Sequence, residues 1–186
     1  NLLEAQKSVT FESTTSKWGD SSEITVAEGA TLSYVNNQWE TEGTLTKTGG
    51  TMSLESVEWS LNDDTTYSSD AAIITETLSL NNYLLTLASE SSDLTVTDNI
   101  TLDDTDEQIK TGLADLTLQA GLTLEDGLLS STGGTVSLEK GGEQSGGSFD
   151  VTDSTFKLGD NFTKTGGTLT TTDYGTILEL GDSMSL

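Results

Sequence analysis

Short strand-like segments recur along the chain at a nearly constant spacing, and most of them begin with an apolar, a polar and an apolar residue. Eight of them start at Leu32, Met52, Ile73, Leu94, Leu116, Val136, Phe156 and Ile177, so that successive starts are 20 to 22 residues apart. A less regular ninth start lies at Val9. Alternation with a period of two is typical of a β-strand with one buried face. The longer period indicates a repeat architecture, in which each repeat packs on its neighbours.

Two further apolar columns become visible when the repeats are aligned. One column lies about six residues after each start and contains Trp39, Trp59, Ile100, Leu122, Phe162 and Met184. The other lies about thirteen residues after each start and contains Leu45, Leu129, Phe149 and Leu169, with Leu87 and Ile109 slightly late. We therefore predict an all-β fold, a parallel β-helix (β-solenoid) of about eight rungs, with three short strands per rung of 20 to 22 residues. An antiparallel sandwich or barrel of short strands is the alternative.

The repeats cover most of the chain. Residues 1–186 are predicted to form one solenoid domain, with regular rungs over 32–186 and a less regular N-terminal rung or cap over 1–31. The turn sequence TGGT occurs at 48–51, 132–135 and 165–168. The first two copies are 84 residues apart, which is four rungs, so they should lie at the same corner and the third copy at another. Glycine supplies the positive φ that such corners require.

Composition excludes several classes of function. The chain has 31 acidic and seven basic residues, all of the latter lysine, and it lacks Cys and His. The commonest general base, a thiolate nucleophile and bidentate arginine are therefore absent. A net charge of −24 argues against nucleic acid or an anionic membrane as partner, and no apolar run is long enough for membrane insertion. We predict that the protein is not an enzyme. Degradation of polysaccharides ranks third among the functions considered, after a structural role and a binding module.

The densest acidic cluster is the candidate metal site. Asp103, Asp104, Asp106 and Glu107 offer several carboxylates on one loop, which is the ligand type that Ca²⁺ prefers. The alternative interpretation is a solvated corner. Asp63 and Asp64 form a weaker second candidate, and no other cofactor is predicted.

Three surface features have a functional and a structural interpretation. Asn99 and Asn161 each begin an N-glycosylation pattern, although a turn position that favours Asn explains both. Outward Ser and Thr residues could bind ice or glycans, or could reflect ordinary strand propensity. The aromatic residues of the N-terminal half could stack on sugars, or could pack in the core. These residues are Trp18, Trp39, Trp59, Tyr34, Tyr67 and Tyr83.

From Leu32 to Leu186, the rungs with their TGGT and LGDN turns resemble the repeat regions of large bacterial cell-surface proteins. The similar families are filamentous-haemagglutinin-like adhesins and the passenger domains of autotransporters. This resemblance implies an extracellular stalk or adhesive fibre, secreted by a prokaryote, and it transfers no binding residue.

The sequence thus predicts a structural extracellular solenoid, either a segment of a surface adhesin or a subunit of a filament. The C-terminal repeat ILELGDSMSL carries no polar cap, so end-to-end self-association is the predicted partnership. The N-terminal NLLEAQ could complete the rung of another copy. The alternative is a glycan-binding or ice-binding module, with host or matrix glycans as partners.

Overall fold

The computed structural model describes residues 1–172 and 175–185, which form a parallel β-solenoid of about nine rungs. These residues contain no helix, and hence none that could cross a membrane. Each rung has three sides. The predicted fold class is therefore confirmed.

The strands fall into three stacks, one on each side of the solenoid. The first side holds β2 (Val9–Glu12), β7 (Ile73–Thr75), β10 (Leu94–Val96), β13 (Leu116–Leu118), β16 (Thr135–Leu138), β19 (Thr155–Leu158) and β22 (Ile177–Leu180). The second side holds β3 (Thr15–Trp18), β8 (Thr77–Ser79), β11 (Ile100–Leu102), β14 (Leu122–Leu124), β17 (Gly142–Gln144) and β20 (Thr163–Lys164). The third side holds β1 (Leu2–Ala5), β4 (Ser22–Val26), β9 (Leu84–Leu87), β12 (Gln108–Thr111), β15 (Leu128–Thr132), β18 (Ser148–Thr152) and β21 (Thr168–Thr172). Two long strands, β5 (Thr31–Thr48) and β6 (Thr51–Ser69), pass through all three sides.

The predicted register is present on the first side. Leu94, Leu116, Val136 and Phe156 pair in successive parallel strands, and all four side chains are buried. Full burial of such a side chain contributes about 1.5–3 kcal/mol. Val9 pairs with Leu32, so this column begins one rung earlier than the eight regular starts. The core is thus a set of apolar columns that run along the solenoid axis.

Two details of the predicted alignment are wrong. Phe156 pairs with Leu178, so the last start lies one residue later than Ile177. Leu45 pairs with Tyr67, whereas Leu129 pairs with Ile109 and Phe149 in a column two residues away. The third side has two inward positions per strand, and either of them can hold the apolar residue. A register shift between Thr41 and Gly43 also displaces the early rungs.

The predicted short strands are also absent from the second and third rungs, where β5 and β6 continue around the corners. Asn36 and Ser56 turn the chain with φ of 50° and 51°. Ser13 lies in the same stack with φ of 51°. A single residue in the left-handed region turns the chain from one side of the rung to the next. It does so without interrupting the hydrogen-bonded ladder on either side. The turns that separate strands elsewhere are therefore not needed here.

The TGGT turns lie where the repeat predicted them. Thr51 and Thr135 each precede the inward residue of a first-side strand, so the first two copies share a corner. Thr168 pairs with Ser148 at the start of the third side, so the third copy marks a different corner. Gly49 has φ of 72°, and a β-carbon there would overlap the Val26 carbonyl oxygen of the preceding rung.

Five of the six aromatic residues named for the N-terminal half are buried in the core, and the sixth, Tyr83, is half-buried against it. Tyr34 packs edge-on against Trp39 at a ring distance of 5.0 Å, and Trp39 packs against Trp59 at 6.2 Å. Trp59 then contacts Tyr67 at 5.5 Å. All four are buried, and burial raises the pKa of the Tyr67 phenol. Core packing, rather than a surface for sugar stacking, accounts for these rings.

Substitution at Gly49 tests the close approach between rungs. Gly49→Ala should reduce the free energy of unfolding by roughly 3 kcal/mol or more, because backbone strain and an overlap with Val26 add together. Gly29→Ala is the matched control, since Gly29 has φ of 76° but nothing within 4 Å of an added β-carbon. The control should lose only about 1–2 kcal/mol from strain. Urea unfolding measures both, and equal losses would contradict the proposed rung contact.

Candidate functional site

The predicted calcium ligands form a hydrogen-bonded corner. Glu107 is buried, and its carboxylate accepts hydrogen bonds from the backbone amides of Asp103 at 2.9 Å and Asn82 at 3.4 Å. Asp104 accepts one from the Asp106 amide at 3.0 Å and one from the Asn82 side chain at 3.3 Å. Two of the four carboxylates are thus bonded to the chain itself.

The weaker acidic pair is used in the same way. Asp63 accepts a hydrogen bond from the Asp64 amide at 2.8 Å, and Asp64 accepts one from the Leu84 amide of the next rung at 2.9 Å. Over residues 1–172 and 175–185, no group of three or more acidic side chains is arranged to hold a metal ion. Calcium binding at Asp103, Asp104, Asp106 and Glu107 stays a prediction.

The outward hydroxyl rows are interrupted. Thr95, Thr117 and Ser137 stack on the first side, with Ile74 before them and Lys157 after them. On the second side Thr101 and Thr123 are followed by Glu143, and then by Thr163 and Ser185. A flat array of threonines therefore extends over two or three rungs at most on these two sides. Ice or glycan binding through the rows stays a prediction.

Both candidate glycosylation residues lie at one corner. The Asn99 amide donates hydrogen bonds to the Ile100 carbonyl at 3.2 Å and to Thr123 Oγ1 at 3.3 Å. Asn161 has φ of 66°, and Ser183 in the next rung has φ of 62°. Asn is favoured in this left-handed conformation, so the turn explains its presence at 161.

A feature that the sequence analysis missed is a lysine that caps the TGGT corner. Lys47 is buried, and its ammonium donates to the carbonyls of Gly49 at 2.5 Å and Gly50 at 3.0 Å and to Asp70 Oδ1 at 2.7 Å. Lys164 caps the third copy in the same way, with bonds to the Gly166 and Gly167 carbonyls. The shared sequence KTGG was the available signal, because a lysine two residues before the glycine pair recurs in both copies.

Asp70 completes the first of these corners. Its carboxylate accepts from Lys47 and also from the Gly49 amide at 2.7 Å. Burial alone would raise the pKa of Asp70, but the bonds from Lys47 and the Gly49 amide hold that pKa below its usual value. Asp70 thus links the corner of one rung to the next.

The two ends of the solenoid are uncovered within the described residues. Leu178 and Leu180 continue inward columns that are buried at Phe156 and Leu158, yet they are 39% and 54% exposed. β22 has a strand partner on one edge only. At the other end Val9 is 40% exposed, and β2 pairs with β5 alone. Each end therefore presents apolar side chains beside an unpaired strand edge, which is the strongest candidate for a functional site.

Comparisons with protein-family models, with curated proteins and with solved structures return no match for this chain. The structure confirms the solenoid that the repeat period predicted, and it is consistent with a repeat region. Kinship with adhesins or autotransporter passengers stays a prediction. Function must therefore be inferred from the geometry.

Removal of the buried lysine should destabilise the protein. Lys47→Met leaves two glycine carbonyls without their donor and reduces the partners of the Asp70 carboxylate to the Gly49 amide, so we expect a loss of roughly 2–4 kcal/mol in the free energy of unfolding. Lys17→Met is the control, because Lys17 pairs with Glu40 at 2.6 Å but is 71% exposed. The control should lose less than about 1 kcal/mol. Chemical denaturation distinguishes the two, and a stable Lys47→Met protein would show that the cap is unimportant.

The lowered pKa of Asp70 predicts a pH dependence. Asp70→Asn should lower stability at neutral pH by roughly 1 kcal/mol, a value reduced because the carboxylate is half exposed. The folded pKa lies below the unfolded value of about 3.9, so this contribution is present above about pH 4 and disappears as pH falls through the folded pKa. The difference in stability between wild type and variant should therefore shrink below pH 4. Acid also relieves charge repulsion in both proteins, and comparing their free energies of unfolding cancels that common effect. A difference that stays constant down to acid pH would contradict the lowered pKa of Asp70.

Proposed function

We propose that this chain is a structural, non-catalytic β-solenoid that works outside the cell, as a segment of a surface adhesin or as a subunit of a filament. The observation that carries the proposal is the pair of uncovered ends. An apolar column beside an unpaired strand edge is the surface on which one more rung can add.

The internal architecture supports a role as a rod. Each rung contacts chiefly its two neighbours, so stability depends on local contacts and the rod can be extended rung by rung. Nine rungs at about 4.8 Å give a length on the order of 40 Å. Catalysis through histidine, cysteine or arginine is excluded by their absence from the sequence. The buried aromatic and apolar side chains serve the core.

The C-terminal end of one copy could pack against the N-terminal end of another. Val9 and Phe11 are the inward residues of β2, as Leu178 and Leu180 are of β22. Stacking β2 of one copy on β22 of another would continue both first-side columns. This would bury four apolar side chains that are exposed or half-buried in the single chain.

Composition supports the proposed extracellular location. The chain has no cysteine to oxidise, and its side chains outside the core are mainly Thr, Ser, Asp and Glu. This composition is common in bacterial and archaeal surface proteins.

Charge placed in the terminal column should prevent association. We expect the wild-type protein to form end-to-end rods as its concentration rises in about 0.15 M salt, which screens the net charge. Leu178→Glu puts a carboxylate in the column to be buried and should weaken association at least tenfold. Sedimentation velocity and electron microscopy measure the assemblies.

Ile177→Glu is the matched control for that experiment. Ile177 lies on the same strand and is 53% exposed, but its side chain points away from the column, opposite to that of Leu178. It should leave association nearly unchanged. A wild-type protein that sediments as a 19.6 kDa monomer at every concentration would sink the proposal, as would equal effects of the two variants.

A further inference from the structure

A polar depression lies on the solenoid surface at the corner between the first and second sides of the N-terminal rungs. It encloses about 440 Å³ and is lined wholly by polar residues. The side chains that face it include Ser13, Ser56, Asn36, Gln38, Glu58 and Glu76. These residues come from four successive rungs, so the groove runs along the axis for roughly 15 Å.

Hydrogen bonds between neighbouring rungs hold the polar side chains at the groove. Asn37 is buried, and its amide donates to Thr14 Oγ1 at 2.7 Å while its carbonyl accepts from Ser16 Oγ at 3.2 Å. Gln38 Nε2 donates to Glu58 Oε2 at 3.2 Å. The polar groups are thus oriented before any ligand arrives, which reduces the entropic cost of binding.

The residues at the corner retain side chains where glycine would turn the chain with less strain. Ser13, Asn36 and Ser56 all have φ near 50°, whereas the same corner has glycine at 121 and 141. The side chains of these three residues make no hydrogen bond to any part of the chain that the structure describes. These exposed side chains therefore have hydrogen-bonding groups free to contact a ligand, on a backbone whose conformation would favour glycine.

The groove continues across the second side. A neighbouring depression of about 280 Å³ shares Gln38 and Glu58 with it. A further one of about 210 Å³, whose lining also includes Lys17 and Trp18, shares Glu40 and Asn62 with that second depression. The path is therefore elongated, and its shape suits a linear chain molecule.

The chemistry of the lining indicates the class of ligand. Amides and hydroxyls both donate and accept, which matches a ligand covered with hydroxyl groups. Glu58 and Glu76 would repel a polyanion, and the corner depression has no lysine or aromatic residue in its lining to attract an anion or an apolar ligand. We propose that this corner groove binds an uncharged linear glycan, independently of association at the solenoid ends.

Binding can be measured by calorimetry with four neutral hexasaccharides, namely cellohexaose, laminarihexaose, maltohexaose and mannohexaose. At least one should bind the wild-type protein at millimolar concentration or below, with little dependence on salt. The double variant Asn36→Gly and Ser56→Gly keeps a residue suited to positive φ at each corner but removes both side chains. It should bind at least about tenfold more weakly.

Asn161→Gly is the control, because Asn161 is an exposed residue with φ of 66° at the same corner but far from the groove. It should bind as the wild type does. The proposal fails if none of the four hexasaccharides binds, or if Asn161→Gly weakens binding as much as the double variant. Binding of hexalysine in a salt-dependent manner without binding of any hexasaccharide would assign the groove to cationic ligands instead.

Discussion

The whole molecule depends on one constraint, which is that each rung must return the chain to the same three sides in register with the rung before it. Parallel main-chain hydrogen bonds join the rungs, and they require that inward residues lie above inward residues. The Leu94, Leu116, Val136 and Phe156 column satisfies this over four rungs. Because alternate residues on each side face inward, a hydrophobic content of 32% is enough to fill the core.

The same constraint explains where the columns are allowed to vary. Gly142 pairs with Leu122 in a second-side column and contributes no side chain there. The next residue in that column is Phe162, which lies 6.1 Å from the ring of Phe149. A large side chain in one rung follows a missing one in its neighbour, so the column remains closed. Packing therefore constrains the summed side-chain volume of adjacent rungs more than the residue type at any one position.

Much of the fold could be predicted from the sequence because the apolar positions recur with a fixed period. A repeat of 20 to 22 residues fixes which positions stack, and the second-side column of Trp39 and Trp59 is present as expected. What the period could not resolve was a shift of one or two residues. Ile177 and Leu178 are both apolar, and each third-side strand has two inward positions, so Leu45 and Leu129 looked equivalent. Such choices depend on side-chain direction and bulges, which spacing alone does not report.

The candidate site was predicted only in part, for a different physical reason. The open C-terminal column could be anticipated because it continues the repeat. The cap on the glycine corner could not, because Lys47 is charged and an inward lysine is not expected from an apolar repeat. A lysine can occupy an inward position when its ammonium finds three oxygen acceptors, as it does at Gly49, Gly50 and Asp70. The corner groove was missed since its residues come from four rungs and share no motif.

If the chain assembles as proposed, the distribution of charge favours growth along the solenoid axis. Glu107 is the one carboxylate buried among the residues that the structure describes, so the other acidic groups lie on the outer surface. The sides of two such rods repel each other at a net charge of −24, and the repulsion grows with the length over which they lie side by side. Repulsion between ends involves only the last rungs, where Leu178 and Leu180 offer apolar surface in return. Under the proposed function, the acidic surface therefore favours lengthening through the unpaired strand edges at the ends over lateral aggregation of the sides.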